Sequence, residues 1–258
     1  MIRHSICALF LLLATMATAS PLTEKADSAY TTDRFQEATA LYNKAIATEG
    51  TSAAIYYNLG NSYYRQGKLG NAILCYERAL RLDPTNQRVK ANLEFVNSKL
   101  IDKPGERGSF LSNSINAITM CASSNAWAWI AFGFFTLTII GVLLYFFSSH
   151  IVVRKLGFFG GIATILFTIA TTILSINGRN ISRSCDYAIV TAPSTILSTT
   201  PRLPKNRTEE AMLLHEGTKV QITDSLRSGS DSTAIVWYAV DVDNNHSAWI
   251  SSRDVEVI

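Results

Sequence analysis

The feature that most constrains this chain is a pattern of residues that recurs every 34 positions in its N-terminal third. One period relates small residues to small residues and aromatic residues to aromatic residues, as in Ala38 and Ala72 or Tyr42 and Tyr76. A period of this length indicates a helix–turn–helix unit whose apolar face is buried only by its neighbours. The segment 54–86 is therefore one tile of a longer pattern and not half of a separate domain.

The best unit, residues 53–86, resembles the tetratricopeptide repeat. Gly60 and Ala72 are expected to be small because the two helices of the unit cross there, and Gly67 is expected to make the turn between them. Asp83 ends the second helix because it precedes a proline ring, which disfavours the helical conformation. The residues that carry the resemblance are Tyr56, in the usual place of Trp, and Leu59, Gly60, Tyr63, Gly67, Ala72, Tyr76, Ala79 and Pro84.

The pattern weakens on both sides of this unit. Upstream, residues 34–47 predict a clear second helix, but residues 26–30 predict only a short, weak first helix. Downstream, a single helix at about 87–100 would cap the array. The repeat domain is therefore predicted at residues 20–102, and an array of fewer than about three units is expected to lean on another part of the protein.

Residues 1–19 have the pattern of a secretory signal peptide. Arg3 gives a positive start, residues 6–14 are apolar, and Ala17 and Ala19 form a small-residue cleavage site. The alternative is an uncleaved anchor helix, which the shortness of the apolar run disfavours.

Two apolar stretches, residues 127–147 and 156–176, contain no charged residue. Each would be roughly 31 Å long as a helix, which is enough to cross the hydrocarbon core of a bilayer. They therefore predict two transmembrane helices, and a buried hairpin in a soluble core is the disfavoured alternative. Residues 103–126, just before the first stretch, leave two interpretations open, an interfacial helix or a plain linker.

The charges beside these stretches give opposite indications of membrane orientation. Arg154 and Lys155 in the predicted loop 148–155 place that loop in the cytoplasm, whereas Arg179 and Arg183 favour the reverse. The signal peptide decides between them because it sends the repeats across the membrane first. Both the N- and the C-terminal regions are then expected on the side opposite the cytoplasm.

The C-terminal region, residues 180–258, changes to short strand-like runs punctuated by Pro, Gly and Asn. The stretches LLHEGTKVQI, WYAVDVDNN and SAWI resemble a bacterial SH3-like barrel. Strands are predicted at 187–191, 218–224, 234–242, 248–251 and 255–258, around a core of Val190, Val220, Ile222, Val236, Val240 and Ile250.

The overall fold class predicted is thus a multi-domain membrane protein with all-α tetratricopeptide repeats, two transmembrane helices and a small all-β SH3-like barrel. Because the apolar stretches separate the repeats from the barrel in the sequence, we expect each to have its own core.

The composition favours no catalytic or nucleic-acid chemistry. A net charge of +3 over 258 residues without a basic stripe argues against nucleic acid as a partner. His150, His215 and His246 share no motif with one another, and no Cys-x-x-Cys, phosphate-binding Gly loop or Gly-x-Ser-x-Gly occurs. We therefore predict no enzyme, no cofactor and no metal site. Whether Cys121 and Cys185 form a disulfide bond stays open.

The resemblance to tetratricopeptide repeats also implies a binding surface, because the first helix of each unit lines the concave groove in that family. Tyr, Arg and Asn side chains suit the binding of an extended peptide. The alternative is that Tyr57 and Tyr64 pack on the first unit or on the membrane-proximal helix. The implicated residues are Ala54, Tyr57, Asn58, Asn61, Tyr64 and Arg65.

The order of signal peptide, repeats, two apolar stretches and C-terminal barrel resembles the BatE-type family of the Bat aerotolerance operons of Gram-negative bacteria. This resemblance implies an inner-membrane protein with both domains in the periplasm, in an envelope complex linked to oxidative stress or aerotolerance. It also implies partners that are membrane-anchored proteins with von Willebrand factor A domains. We expect a non-enzymatic scaffold; the alternative is a peptidoglycan-binding module that recruits a cell-wall enzyme.

Overall fold

The computed structural model describes residues 21–103, 109–228 and 235–258. The predicted signal peptide, residues 104–108 of the predicted linker and the first residue of the strand predicted at 234–242 lie outside these ranges. Within them the chain forms a helical N-terminal region, a pair of long apolar helices and a C-terminal antiparallel sheet.

Five helices form the repeat region. Among them, α1 is longer than the sequence predicted, and its Ala26 and Ala29 are fully buried in a cluster with Tyr42 and Leu59. The expectation of a short, weak first helix is therefore wrong, because packing against the next two helices stabilises a segment whose own pattern is poor. The helices are α1 Pro21–Thr31, α2 Phe35–Glu49, α3 Ala53–Arg65, α4 Leu69–Leu82 and α5 Gln87–Asn97.

Local sequence explains where the helices of the best unit begin and end. The Ser52 hydroxyl caps α3 by accepting a hydrogen bond of 3.1 Å from the amide of Ile55. Gly67 follows α3 with φ of 77°, a left-handed conformation that glycine adopts without a steric penalty. As predicted, α4 ends immediately before Asp83 and Pro84.

The crossing of α3 and α4 requires a small residue at Gly60. A Cβ atom there would lie 2.7 Å from Cε1 of Tyr76. Ala72 is fully buried in the same helix pair. The predicted reason for a small residue is therefore confirmed at Gly60, where the Tyr76 ring is the group that approaches.

The next three helices are α6 Phe110–Thr119, α7 Ser124–Phe147 and α8 Ile151–Arg183. Both α7 and α8 are long enough and apolar enough to cross a membrane. They are joined only by residues 148–150, so Arg154 and Lys155 lie in the first turns of α8 and not in a loop. The loop predicted at 148–155 is wrong in this respect, because residues 151–155 contain no Gly or Pro that would delay the helix.

Close backbone contact joins α7 to α8. A Cβ atom at Gly157 would lie 2.6 Å from the carbonyl oxygen of Gly141, so the two helices meet at glycine. Thr138 of α7 and Thr164 of α8 also form a hydrogen bond of 2.9 Å between their hydroxyl groups. The two helices therefore form one hairpin.

The C-terminal region is one seven-stranded antiparallel sheet with the order β3-β2-β6-β5-β4-β1-β7. Among the described strands, β3 and β7 stay at opposite edges and do not pair, so the antiparallel sheet fits the predicted all-β region but does not close into a barrel. The β7 edge instead meets the repeats, where Arg78 Nη2 donates to the carbonyl oxygen of Val257 at 2.6 Å. The strands are β1 Tyr187–Val190, β2 Ser194–Ser198, β3 Glu210–His215, β4 Lys219–Ser228, β5 Ile235–Asp241, β6 Ser247–Ser251 and β7 Val255–Val257.

Most of the predicted sheet core is confirmed. Val190, Val220, Val240 and Ile250 belong to one buried cluster, and Ile222 packs against its edge. Val236 is only partly buried and lies outside that cluster. Two strands, β2 and β3, were not predicted, and they add Leu197 and Leu214 to the core.

The repeats and the sheet do not have separate cores. Ile189 of β1 is fully buried in the same cluster as Ala72, Ile73 and Tyr76 of α4. The expectation of independent cores is therefore wrong, because β1 buries one face in the sheet and the other against α4. The small array of repeats packs against the sheet, as its short length predicted.

Candidate functional site

A cavity of about 290 Å³ opens between α1, α3 and α5. These are the first helices of successive units, the elements from which the sequence predicted a groove. We call it the tyrosine cavity because four tyrosine rings border it. Its lining residues are Tyr30, Tyr57, Asn61, Tyr64, Arg65, Tyr76, Asn92, Phe95 and Val96.

The predicted site residues divide into three groups. Tyr57, Asn61, Tyr64 and Arg65 line the tyrosine cavity together. Asn58 lines a smaller neighbouring hollow of about 150 Å³, which Asn61 also borders. Ala54 is exposed and lines neither cavity.

Asn61 is held in place by two hydrogen bonds to its side-chain oxygen. Tyr76 donates its hydroxyl proton at 2.7 Å, and the Asn92 amide donates at 2.9 Å. Burial raises the pKa of Tyr76, so its phenol stays neutral and remains a donor. Because the oxygen of Asn61 is already occupied, its remaining capacity toward a ligand is its own NH₂ group.

Tyr64 and Arg65, at the rim of the cavity, contact residues outside α3. The Tyr64 hydroxyl accepts a hydrogen bond of 2.7 Å from Lys99 Nζ, and its ring meets that of Phe95 edge to face at 5.8 Å between centroids. Arg65 pairs with Asp33 at 2.9 Å and lies over the ring of Phe35. The arrangement fixes two cations, Arg65 and Lys99, at an aromatic surface.

Tyr57 and Tyr64 pack on residues of α4 and α5, whereas the alternative interpretation placed them on the first unit or on the membrane-proximal helix. The ring of Tyr57 lies 6.1 Å from that of Tyr76, and its hydroxyl accepts from Asn92 at 3.3 Å. Tyr64 packs on α5 through Phe95. Both rings are partly buried and still form part of the cavity wall.

The smaller hollow is organised by Asp27. Its carboxylate accepts hydrogen bonds from the hydroxyl of Tyr42 and from the amide of Asn58, the latter at 3.1 Å. Burial and the neighbouring Asp27 raise the pKa of Tyr42, which keeps that phenol protonated. Asn58 therefore ties α3 to α1.

A set of hydrogen-bonding side chains, which the sequence did not predict, joins the repeats to the sheet. We call this surface the joint. Arg81 of α4 donates to the carbonyl oxygens of Ser182, Ser184 and Ile258, and so connects the repeats to the end of α8 and to the last strand. The Glu216 carboxylate accepts from the amide of Gly70 at 3.1 Å.

Asp102 is the most heavily hydrogen-bonded acid of the joint. Its carboxylate accepts from the His215 amide at 2.6 Å and from the Thr218 hydroxyl at 2.7 Å, and it contacts the His215 ring nitrogen at 2.9 Å. Burial raises the pKa of Asp102, but these hydrogen bonds outweigh burial and hold the pKa below the usual range. The ionised carboxylate thus fastens the end of the repeats to the β3–β4 turn.

The sequence carried only a weak signal for the joint. Gly217 lies in the stretch HEGT with φ of 87°, and a Cβ atom there would lie 2.5 Å from Leu100 Cδ2 and 2.9 Å from Ile73 Cδ1. A glycine in a turn indicates such a close approach, but not which part of the chain approaches.

The free cysteines are placed differently from one another. Cys75 is buried in the repeats, and burial raises its pKa to about 12. Cys121 and Cys185 are both exposed thiols and are not bonded to each other.

Comparison with known families supports the repeat assignment. Residues 53–86 match the model of the tetratricopeptide repeat, and residues 27–67 match a second model described as a TPR repeat. The second match covers the first unit, whose first helix the sequence pattern had left weak. No curated protein matches the chain. The repeats therefore indicate a protein–protein interaction scaffold.

Proposed function

We propose that this protein is a membrane-anchored scaffold whose tyrosine cavity binds an extended segment of a partner protein. The observation that carries the proposal is the convergence of Tyr57, Asn61, Tyr64 and Arg65 on one cavity between the first helices of three units. Aromatic faces offer apolar contact area, the Asn61 amide offers a donor to a peptide carbonyl, and Arg65 offers a charge. The two apolar helices hold this scaffold in the bilayer.

Binding to short peptides tests this function. The full chain, reconstituted in lipid nanodiscs, is presented with an array of peptides derived from envelope proteins, and affinity for the best binder is measured by fluorescence anisotropy. Tyr64→Ala and Arg65→Ala should each weaken binding by about 2 kcal/mol, or roughly thirtyfold, because interface energy concentrates in such residues.

The matched control is Arg34→Ala. Arg34 forms an exposed ion pair with Glu37 at 2.9 Å, as Arg65 does with Asp33, but it does not line the cavity. Its removal should leave affinity unchanged. If Arg34→Ala and Arg65→Ala weaken binding equally, or neither does, the tyrosine cavity is not the binding surface.

The proposal also specifies the membrane in which the protein lies and its orientation there. By resemblance to the BatE-type family, we place the protein in a bacterial inner membrane with both terminal regions in the periplasm. Its proposed partners there are von Willebrand factor A domain proteins of a Bat-type envelope complex linked to oxidative stress. Alkaline phosphatase fused after Leu100 or Ile258 should be active, and phosphatase fused at Ser149 should be inactive. An active fusion at Ser149 would reverse the orientation.

The second candidate is a cell-envelope module in which the sheet binds peptidoglycan and the repeats recruit a cell-wall enzyme. It is favoured by a polar hollow of about 220 Å³ at the β5–β6 hairpin, bordered by Gln221, Asp241, Asp243, Asn244 and His246. Sedimentation of the detergent-extracted chain with purified peptidoglycan distinguishes the two functions. Retention that Asp241→Ala abolishes, without peptide binding at the tyrosine cavity, would favour this second function.

A further inference from the structure

We propose that α6 is an in-plane membrane helix that docks the repeats onto the phospholipid surface beside the hairpin. Four apolar residues, Phe110, Leu111, Ile115 and Ile118, lie within about 140° of one another around this helix, in a sector that also contains Ser114, and all four are exposed. Phe110 is 89% exposed. Large apolar side chains gathered on one exposed face indicate a surface that is covered by another phase or molecule.

The opposite, polar face of α6 is fixed to α8. Asn177 of α8 donates hydrogen bonds of 3.0 Å to both Asn116 Oδ1 and Thr119 Oγ1. A Cβ atom at Gly178 would lie 3.2 Å from the Thr119 methyl group, so the two helices are in direct contact. The apolar face of α6 therefore cannot turn inward without breaking these bonds.

The position along α8 at which α6 is attached indicates that lipid covers the apolar side chains of α6. The second apolar stretch ends at residue 176, so Asn177 lies where α8 would leave the hydrocarbon core. Trp127 Nε1 at the start of α7 donates to the Thr119 carbonyl at 3.0 Å, which ties α6 to an aromatic residue at the same level. The C-terminal end of α6 is thus held beside the residues at which the apolar stretches of α7 and α8 begin and end.

Charge complementarity supports the same occupant. Arg179 and Arg183, in the last turns of α8, are exposed just beyond Asn177. No acidic residue occurs between Glu106 and Asp186 in the sequence. Arginine pairs well with phosphate, so this level offers cations to lipid headgroups and apolar side chains to the acyl chains below them.

The inference rests on the proposed anchoring of α7 and α8 in a bilayer, and one experiment separates the two. Spin labels are introduced one at a time as Phe110→Cys, Ile118→Cys and Ser112→Cys, with Leu166→Cys in α8 as the reference. The background carries Cys7→Ser, Cys121→Ser and Cys185→Ser, and retains the buried Cys75. The full chain is reconstituted in nanodiscs of phosphatidylethanolamine and phosphatidylglycerol, and the accessibility of each label to oxygen and to water-soluble nickel chelate is measured.

The expected result is that labels at 110 and 118 prefer oxygen, as the label at 166 does, while the label at 112 prefers the nickel chelate. Preference for the chelate at 110 and 118 with preference for oxygen at 166 would overturn the docking of α6 alone. Preference for the chelate at 166 as well would overturn the anchoring itself. Dipolar broadening between labels at 110 would identify a second copy as the occupant and overturn the lipid assignment.

A second measurement tests the role of the arginines. Arg179→Gln with Arg183→Gln should reduce the oxygen preference at 110 in phosphatidylglycerol nanodiscs. The same change should have a smaller effect in phosphatidylcholine nanodiscs, which carry no net charge. An equal effect in both lipids would exclude the proposed pairing with anionic headgroups.

Discussion

Asp33 and Gly67 occupy equivalent turns one repeat period apart, and both have a left-handed backbone, with φ of 59° and 77°. The same hydrogen bonds close the two turns: Asp33 N donates to Tyr30 at 3.1 Å, and Gly67 N donates to Tyr64 at 2.9 Å. Non-glycine residues enter this region at a cost, which Asp tolerates better than most. The first unit thus keeps the turn geometry of the second without its glycine.

The two turns should differ in their sensitivity to substitution. Gly67→Ala should destabilise α3 and α4 by about 1 kcal/mol or more, because alanine is strained in the left-handed backbone conformation. A steric clash does not contribute, since a Cβ atom there meets no atom within 4 Å. Asp33→Gly should change stability by less than about 0.5 kcal/mol, because relief of strain offsets the loss of an exposed ion pair with Arg65. Hydrogen exchange of the full chain measures both, read in peptides from α3 and α4 for Gly67→Ala and in peptides from α1 and α2 for Asp33→Gly.

The control for this comparison is Gly67→Asn, which should cost less than Gly67→Ala because Asn tolerates the left-handed region. Equal costs for Ala and Asn would contradict an origin in backbone conformation.

Gly60→Leu should separate α3 from α4, because the new side chain would start 2.7 Å from the Tyr76 ring. Overpacking of this kind costs about 1 to 3 kcal/mol. Ala72→Leu should have a similar effect in the same helix pair. Thermal unfolding followed by circular dichroism should show a lower midpoint, and an unchanged midpoint would contradict the helix-crossing assignment.

The Asp102 carboxylate should make the joint sensitive to acid. Its pKa is lowered in the folded protein, so its contribution to stability is present above the unfolded pKa of about 4 and is lost as the pH falls through the folded pKa. Asp102→Asn should therefore destabilise the protein by about 1 to 2 kcal/mol at neutral pH. The difference in melting temperature from wild type should shrink in acid.

Asp243 provides the control for this titration. It also accepts hydrogen bonds from backbone amides and contacts a histidine ring, but it lies at the tip of the β5–β6 hairpin and away from the joint. Hydrogen bonds from Asn245 and His246 also lower the pKa of Asp243, but these partners are local, so Asp243→Asn should lower the melting temperature at neutral pH by less than Asp102→Asn does. An effect as large as that of Asp102→Asn would show that the joint is not the origin of the acid sensitivity.

The repeats could be predicted from the sequence because their determinants are local and periodic. Gly67 makes its turn and Ser52 caps α3 through residues at most three positions away. The extent of α1 could not be predicted in this way, since Ala26 is buried by residues of α2 and α3 and not by its own helix. Four of the six proposed groove residues line one cavity because the period fixes which face of α3 they share.

The joint could not be predicted because its partners are far apart in sequence. Ile189 points to the face of β1 opposite to that of Ala188 and Val190, as expected in a strand. The sequence does not indicate that α4 buries this second face of β1. From the sequence, Arg81 is likewise expected to be an exposed helix residue. Its hydrogen bonds to the end of α8 and to the C-terminal residue become evident only in the folded structure. Whether the sheet closes was also undetermined, since hydrophobic alternation predicts strands but not which edges meet.

The glycines of the hairpin give the last prediction. A Cβ atom at Gly141 would lie 2.9 Å from the Gly157 carbonyl oxygen, and one at Gly157 would lie 2.6 Å from the Gly141 carbonyl oxygen. Both contacts are with backbone, which cannot rotate away as a side chain can. Gly141→Ala and Gly157→Ala should therefore force α7 and α8 apart, at a cost of about 1 to 3 kcal/mol.

Gly133 and Gly160 in the same helices serve as matched controls, because a Cβ at either position meets nothing within 4 Å. Gly133→Ala and Gly160→Ala should be neutral or slightly stabilising, since alanine favours a helix over glycine by about 1 kcal/mol. Unfolding of the purified chain by increasing mole fractions of dodecyl sulfate compares all four variants. Gly157→Ala should unfold at a lower fraction than Gly160→Ala. If the two unfold together, the close contact at Gly141 does not hold the hairpin.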